Sequence, residues 1–92
     1  MIARRLVIRG RVQGVGYRYS MIDAAQGLGV VGWVRNLTDG NVEALIQGEP
    51  AQIDAILAWC GRGPPSARVS AVDATPVATD SAIVAFTHRR SE

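Results

Sequence analysis

Leu6-Val7-Ile8-Arg9-Gly10-Arg11-Val12-Gln13-Gly14-Val15-Gly16-Tyr17-Arg18 leads from an aliphatic run, through closely spaced glycines, to an arginine. The β-branched and aliphatic residues between arginines predict a strand from about Arg4 to Arg11 with one solvated face. Beyond the glycines, Met21, Ala25 and Leu28 recur at i, i+4 and i+7, and Ile22 widens the stripe. That period predicts a helix of about Arg18 to Leu28 lying on a sheet, with Gly29 as its stop.

Further along, Val30 to Asn36 and Asn41 to Gln47 read as two strands separated by Thr38-Asp39-Gly40, and an Asp-Gly pair between such runs is a strong hairpin signal. Pro50 suits a first helical turn, and Ile53, Leu57 and Cys60, with Ile56 beside them, give a second amphipathic helix. Gly61, Gly63, Pro64 and Pro65 end it. Val69, Ala71 and Asp73 then alternate with Ser70, Val72 and Ala74 in a weaker strand pattern, and Ala82 to Thr87 reads as a final strand. The order βαββαβ with an extra terminal strand indicates an α+β fold, a ferredoxin-like sandwich with two helices on one face of a mainly antiparallel sheet. With no linker or internal repeat, residues 1–92 are expected to form one domain.

Composition removes several kinds of chemistry. The apolar fraction of 48% indicates a globular chain, and the formal charge of +2 is scattered, unlike the concentrated basic surface of a nonspecific nucleic-acid binder. All ten Lys and Arg positions are arginine, so Schiff-base and Walker lysines are excluded. One cysteine, Cys60, and one histidine, His88, provide neither a disulfide nor a multidentate Cys/His metal site, and no metal or cofactor is expected. Without a signal-like N-terminus or a spanning apolar run, the expectation is a cytoplasmic protein that does not enter membranes. Asp39 suits the hairpin turn and Glu49 the start of the second helix, while Asp23, Glu43 and Asp54 are expected to be solvated.

The segment from Gly10 to Arg18 is the candidate site. Glycines let backbone N–H groups turn inward, and the following helix adds partial positive charge, so the loop suits an anion. Arg18 would add a permanent cation able to make two parallel hydrogen bonds to phosphate. The competing reading is that the glycines merely turn the chain and Arg18 is solvated. A cation at a helix N-terminus is, however, electrostatically misplaced unless an anion joins it. No cysteine precedes the arginine, Cys60 belongs to the second helix's apolar stripe, and Ser20 has no histidine near it in sequence to act as base. His88 reads as a surface residue, and no pair of carboxylates suggests acid–base work.

Val12-Gln13-Gly14-Val15-Gly16-Tyr17-Arg18 resembles the first acylphosphatase signature, and Gly32-Trp33-Val34-Arg35-Asn36, with Gly40, Val42 and Gly48 after it, resembles the second. The similarity extends from about Arg4 to Thr87 and includes Cys60, Gly63-Pro64, Ala67 and Val69. The resemblance implies a cofactor-free and metal-free enzyme that hydrolyses acyl phosphates. In it, the loop residues Gln13, Gly14, Val15, Gly16, Tyr17 and Arg18 hold the phosphate and Asn36 orients the attacking water. Taken alone, Asn36 reads first as a turn residue ending a strand, though its amide offers both a donor and an acceptor. Tyr17 stands where the family usually has phenylalanine or methionine, so its hydroxyl needs solvent or a partner.

The expected partners are a small acyl phosphate and inorganic phosphate, the latter as product and competitive inhibitor, with the chain acting as a monomer. The loop and Arg18 favour attack of water on phosphorus, since nothing in the sequence offers an oxyanion hole for a carbonyl. Two alternatives share the element order. An RNA-recognition module would stack bases on aromatics of its central strands, but Arg4 to Arg11 and Asn41 to Gln47 contain none, so no nucleic acid is expected. A phosphate-binding regulatory or maturation domain would keep the fold without the activity, and the intact Arg18 and Asn36 favour the enzyme.

Overall fold

In the computed structural model, which describes residues 1–92, the first strand β1 (Ile2–Arg11) buries Leu6 and Ile8 and turns Arg5 and Arg9 outward. This is the alternation expected of a strand with one covered face. Helix α1 (Tyr17–Leu28) buries Tyr17, Met21 and Ala25, and ends where Gly29 adopts the left-handed conformation and its N–H caps the carbonyls of Ala25 and Gln26. Strands β2 (Val31–Asn36) and β3 (Val42–Gly48) pair as a hairpin with Val34 opposite Ala44. Their turn is closed by the Leu37 N–H on the Asn41 carbonyl at 2.9 Å, and Asp39 accepts from the Asn41 N–H at 2.9 Å. Helix α2 (Pro50–Arg62) starts at a capping box in which Glu49 and Gln52 exchange hydrogen bonds, and it buries Ile53, Ile56 and Cys60.

Strands β4 (Arg68–Val77) and β5 (Phe86–His88) complete a five-stranded sheet of order β4-β1-β3-β2-β5, antiparallel except for the β2–β5 pair. Both helices cover one face, and between them and the sheet lie Leu6, Ile8, Val34, Val42, Ala44 and Ile46. This is the ferredoxin-like α+β architecture read from the sequence. No helix is long and apolar enough to cross a membrane.

Two expectations need correction. The final strand starts at Phe86, not Ala82, because Asp80 takes the intervening backbone into a turn, accepting from the Ala82 N–H on its carboxylate at 2.9 Å and from the Ile83 N–H on its carbonyl at 3.1 Å. Asp80 is itself held at both backbone groups by buried Gln47, at 2.8 and 3.0 Å. The second concerns Glu43, which is 3% exposed and not solvated. Register places Arg35 directly opposite it and Val7 on its other side, so Arg5 and Arg35 reach it from the two neighbouring strands, each guanidinium Nε donating at 2.6 Å. A buried carboxylate is tolerated only with such pairing.

Candidate active site

The loop between β1 and α1 adopts its shape through Gly14 and Gly16, at φ 72° and 78°. A Cβ at either position would meet nothing within 4 Å, so the requirement is for left-handed backbone and not for space. Gly16 is the N-cap residue of α1, no side chain caps that end, and the first turn contains no acid. The first N–H groups of the helix therefore face the loop without a side-chain acceptor, beside Arg18.

Three attachments hold the loop. Val12 is buried at its start. At its end, the buried Tyr17 ring packs on Trp59 at 5.3 Å between centroids, and its hydroxyl donates to the Cys60 carbonyl at 2.8 Å. The partner required of a tyrosine here is thus the last turn of α2. Between these anchors, the Gln13 amide donates both of its hydrogens across to the hairpin, to Leu37 O at 2.7 Å and Asn41 O at 2.8 Å. Leu37 directly follows Asn36, so this tie joins the loop to the strand end that carries the asparagine.

Asn36 comes to the site by strand alternation. Two residues before it, Val34 lies in the core under the helices, and the period of two turns the Asn36 side chain to the same face, at the sheet end beneath α1. There a pocket of about 150 Å³ is lined by Val12, Gly14, Gly16, Tyr17, Arg18, Tyr19 and Asn36. The Asn36 Oδ1 atom is the one buried side-chain oxygen or nitrogen in the molecule without a hydrogen-bond partner. Leaving such an acceptor unsatisfied costs about 1–3 kcal/mol, which a ligand or water donating to it would offset.

Of the residues expected to form the site, Gly14, Gly16, Tyr17, Arg18 and Asn36 meet around this pocket, while Gln13 and Val15 belong to the loop without lining it. Val12, the first residue of the signature, forms part of the pocket floor, while sequence reasoning missed Tyr19, whose only signal was its place one residue after Arg18. His88 is exposed at the tip of β5, with its ring 6.3 Å from that of Tyr19. Burial pushes the Cys60 thiol up to about 11, and burial also raises the Tyr17 hydroxyl well above its ordinary value, with Cys60 adding to the effect. Neither group is ionised near neutrality, and neither supplies a nucleophile. No three His, Cys, Asp or Glu side chains cluster as a metal site. A larger hollow of about 240 Å³ beside β5, lined mostly by apolar residues including Trp33, Ile83 and Val84, receives no unpaired buried polar atom.

The family model described as Acylphosphatase matches residues 4–88. An acylphosphatase of Acaryochloris marina is 58% identical over 73 residues, covering 79% of this chain and 78% of that protein. The crystal structure of acylphosphatase from Bacillus subtilis superposes with a TM-score of 0.92 at 30% identity, covering 97% of this chain and 99% of that one. The fold also resembles a part of full-length HypF, solved in a phosphate- and nucleotide-bound form, with a TM-score of 0.88 at 26% identity over 99% of this chain and 12% of that one.

Proposed function

This chain belongs to the acylphosphatase family and hydrolyses acyl phosphates, and we propose that Arg18 and the loop amides bind the phosphoryl group while Asn36 orients the water that attacks phosphorus. The observation that carries the division of labour is the meeting of Arg18 and Asn36 in one pocket, with the Asn36 oxygen unengaged by the protein.

The chemistry asks little more of the protein. The bond formed is between the water oxygen and phosphorus, and the bond broken is between phosphorus and the acyl oxygen. One water hydrogen stays on the new P–O bond and the other passes to a phosphoryl oxygen, so an acyl phosphate dianion gives a carboxylate and a dihydrogen phosphate. A carboxylate is a stable leaving group and needs no general acid. Arg18 and inward-turned N–H groups would stabilise charge on the phosphoryl oxygens, and the Asn36 amide would hold water without taking its proton. Inorganic phosphate, carrying the same oxygens, would compete for the loop.

Two substitutions test this assignment. Arg18→Ala is expected to weaken inhibition by inorganic phosphate by at least about tenfold, since one charge-assisted hydrogen bond contributes roughly 1.5–3 kcal/mol. Asn36→Ala is expected to lower kcat by about 100-fold with phosphate inhibition retained, the pattern of a contact made in the transition state. Equal loss of phosphate affinity in both folded variants would reject the division.

A further inference from the structure

The roles given to Arg18 and Asn36 leave one side chain of the pocket without a task. Val12 and Tyr17, each 1% exposed, form its floor, whereas Tyr19 lines the same pocket and is 67% exposed, which places its ring at the mouth. A phosphoryl group seated against the glycines and Arg18 must carry its acyl group outward past that mouth.

A second ring arrives there from a different element. Strand β5 runs parallel to β2 with His88 beside Val34, and alternation turns His88 to the face shared by Val34 and Asn36. The Tyr19 and His88 rings lie 6.3 Å apart between centroids at an interplanar angle of 59°, within the range of interacting aromatic pairs. Both residues remain exposed, so their ring surfaces are accessible to a third group.

We propose that Tyr19 and His88 form the acyl-group subsite, which favours phosphates of planar aromatic carboxylic acids over those of short aliphatic ones. The proposal rests on the reading of Arg18 and Asn36 above. A flat acyl group leaving the mouth would lie against the Tyr19 ring and the imidazole edge, whereas an acetyl group is too short to cover either. Stacking on one ring corresponds to a preference of about 2- to 12-fold beyond simple burial.

The test compares kcat/KM for benzoyl phosphate and acetyl phosphate in wild type, Tyr19→Ala, Tyr19→Phe and His88→Ala. Both substrates place the same phosphoryl group in the loop, so the benzoyl-to-acetyl ratio cancels any loss common to them. Tyr19→Ala is expected to lower that ratio by about 2- to 12-fold, Tyr19→Phe to keep it, and His88→Ala to lower it in the same direction. An unchanged ratio in Tyr19→Ala, or an equal fall in Tyr19→Phe, would overturn the subsite while leaving hydrolysis itself in place. Failure of the wild-type chain to turn over either compound would instead reject the underlying assignment, and the subsite with it.

Discussion

Replacing Gln13 by methionine keeps the length and flexibility of the side chain and removes its two donors. In the native protein those donors reach Leu37 O at 2.7 Å and Asn41 O at 2.8 Å, so the substitution cuts the two side-chain hydrogen bonds between the loop and the hairpin. At roughly 0.5–1.5 kcal/mol net for each bond, the lost tie amounts to about 1–3 kcal/mol. Two consequences follow from where it is attached. Stability should fall, with Tm dropping by about 4–8 °C for each kcal/mol in a domain of this size. Turnover should fall as well, because Leu37 follows Asn36 and a hairpin free to shift no longer fixes the asparagine against the loop. If the whole tie is expressed in the transition state, kcat falls by about 5- to 150-fold. Inhibition by phosphate should be retained, since Gln13 does not line the pocket. Gln13→Glu should be worse than Gln13→Met, because it would turn a carboxylate toward two carbonyl oxygens. Steady-state kinetics with phosphate as inhibitor, together with thermal unfolding, separates the effects. A folded, destabilised Gln13→Met protein with wild-type kcat would show that the tie is structural only and refute its role in placing Asn36.

Two further outcomes are expected. Hydrolysis in heavy-oxygen water, followed by mass spectrometry of both products, should place the label in inorganic phosphate; label in the carboxylate would mean that carbon is attacked. Native stability should also fall as pH rises from about 9 to about 11, because the unfolded Cys60 thiol ionises near 9.0 while the buried one holds its proton to about 11, so the unfolded state loses protons first. The Tyr17 hydroxyl, raised above 10.0 in the fold, adds to the loss at the alkaline end. Urea midpoints across this range should slope downward and flatten in Cys60→Ala, and an equal slope in both proteins would contradict the burial argument.

What could be read from the sequence is what depends on local period and turn chemistry. The stripe of Met21, Ala25 and Leu28, the Pro50 start of the second helix and the Asp39-Gly40 turn each state a backbone preference within a few residues, and all three elements form as expected. Ala82 to Ala85 misled because an apolar run resembles a strand until the Asp80 turn, held by distant Gln47, claims its backbone. Glu43 misled for a related reason. One strand's alternation shows which face a side chain takes, but not that arginines from two other strands will enclose it. In the candidate site, Arg18 and Asn36 were visible through two separate motifs. The Gln13 tie was not, since its partners are 24 and 28 residues away, and Tyr19 on a first helical turn reads simply as a solvent-facing ring.

The topology explains why the two motifs meet. Strands β1 and β2 both pair antiparallel with β3, which lies between them, so they run in the same direction and finish at the same end of the sheet. The loop leaving β1 must cross the start of β3 to enter α1, and neighbouring strands are about 4.8 Å apart, so a single glutamine side chain can bridge it to the hairpin. The element proposed to bind the anion is thus a loop entering a helix, while the one proposed to position water is the end of a strand fixed on both sides. The loop also forgoes a source of local stability. An acidic first turn would favour the free helix by about 0.3–1 kcal/mol, yet the first turn of α1 contains no acid and includes Arg18. A bound phosphoryl dianion reverses the sign of that term. In the proposed binding mode, the arrangement that is unfavourable in the empty protein would become favourable once the substrate's own charge completes the helix end, and binding energy would thereby be concentrated on the group that reacts.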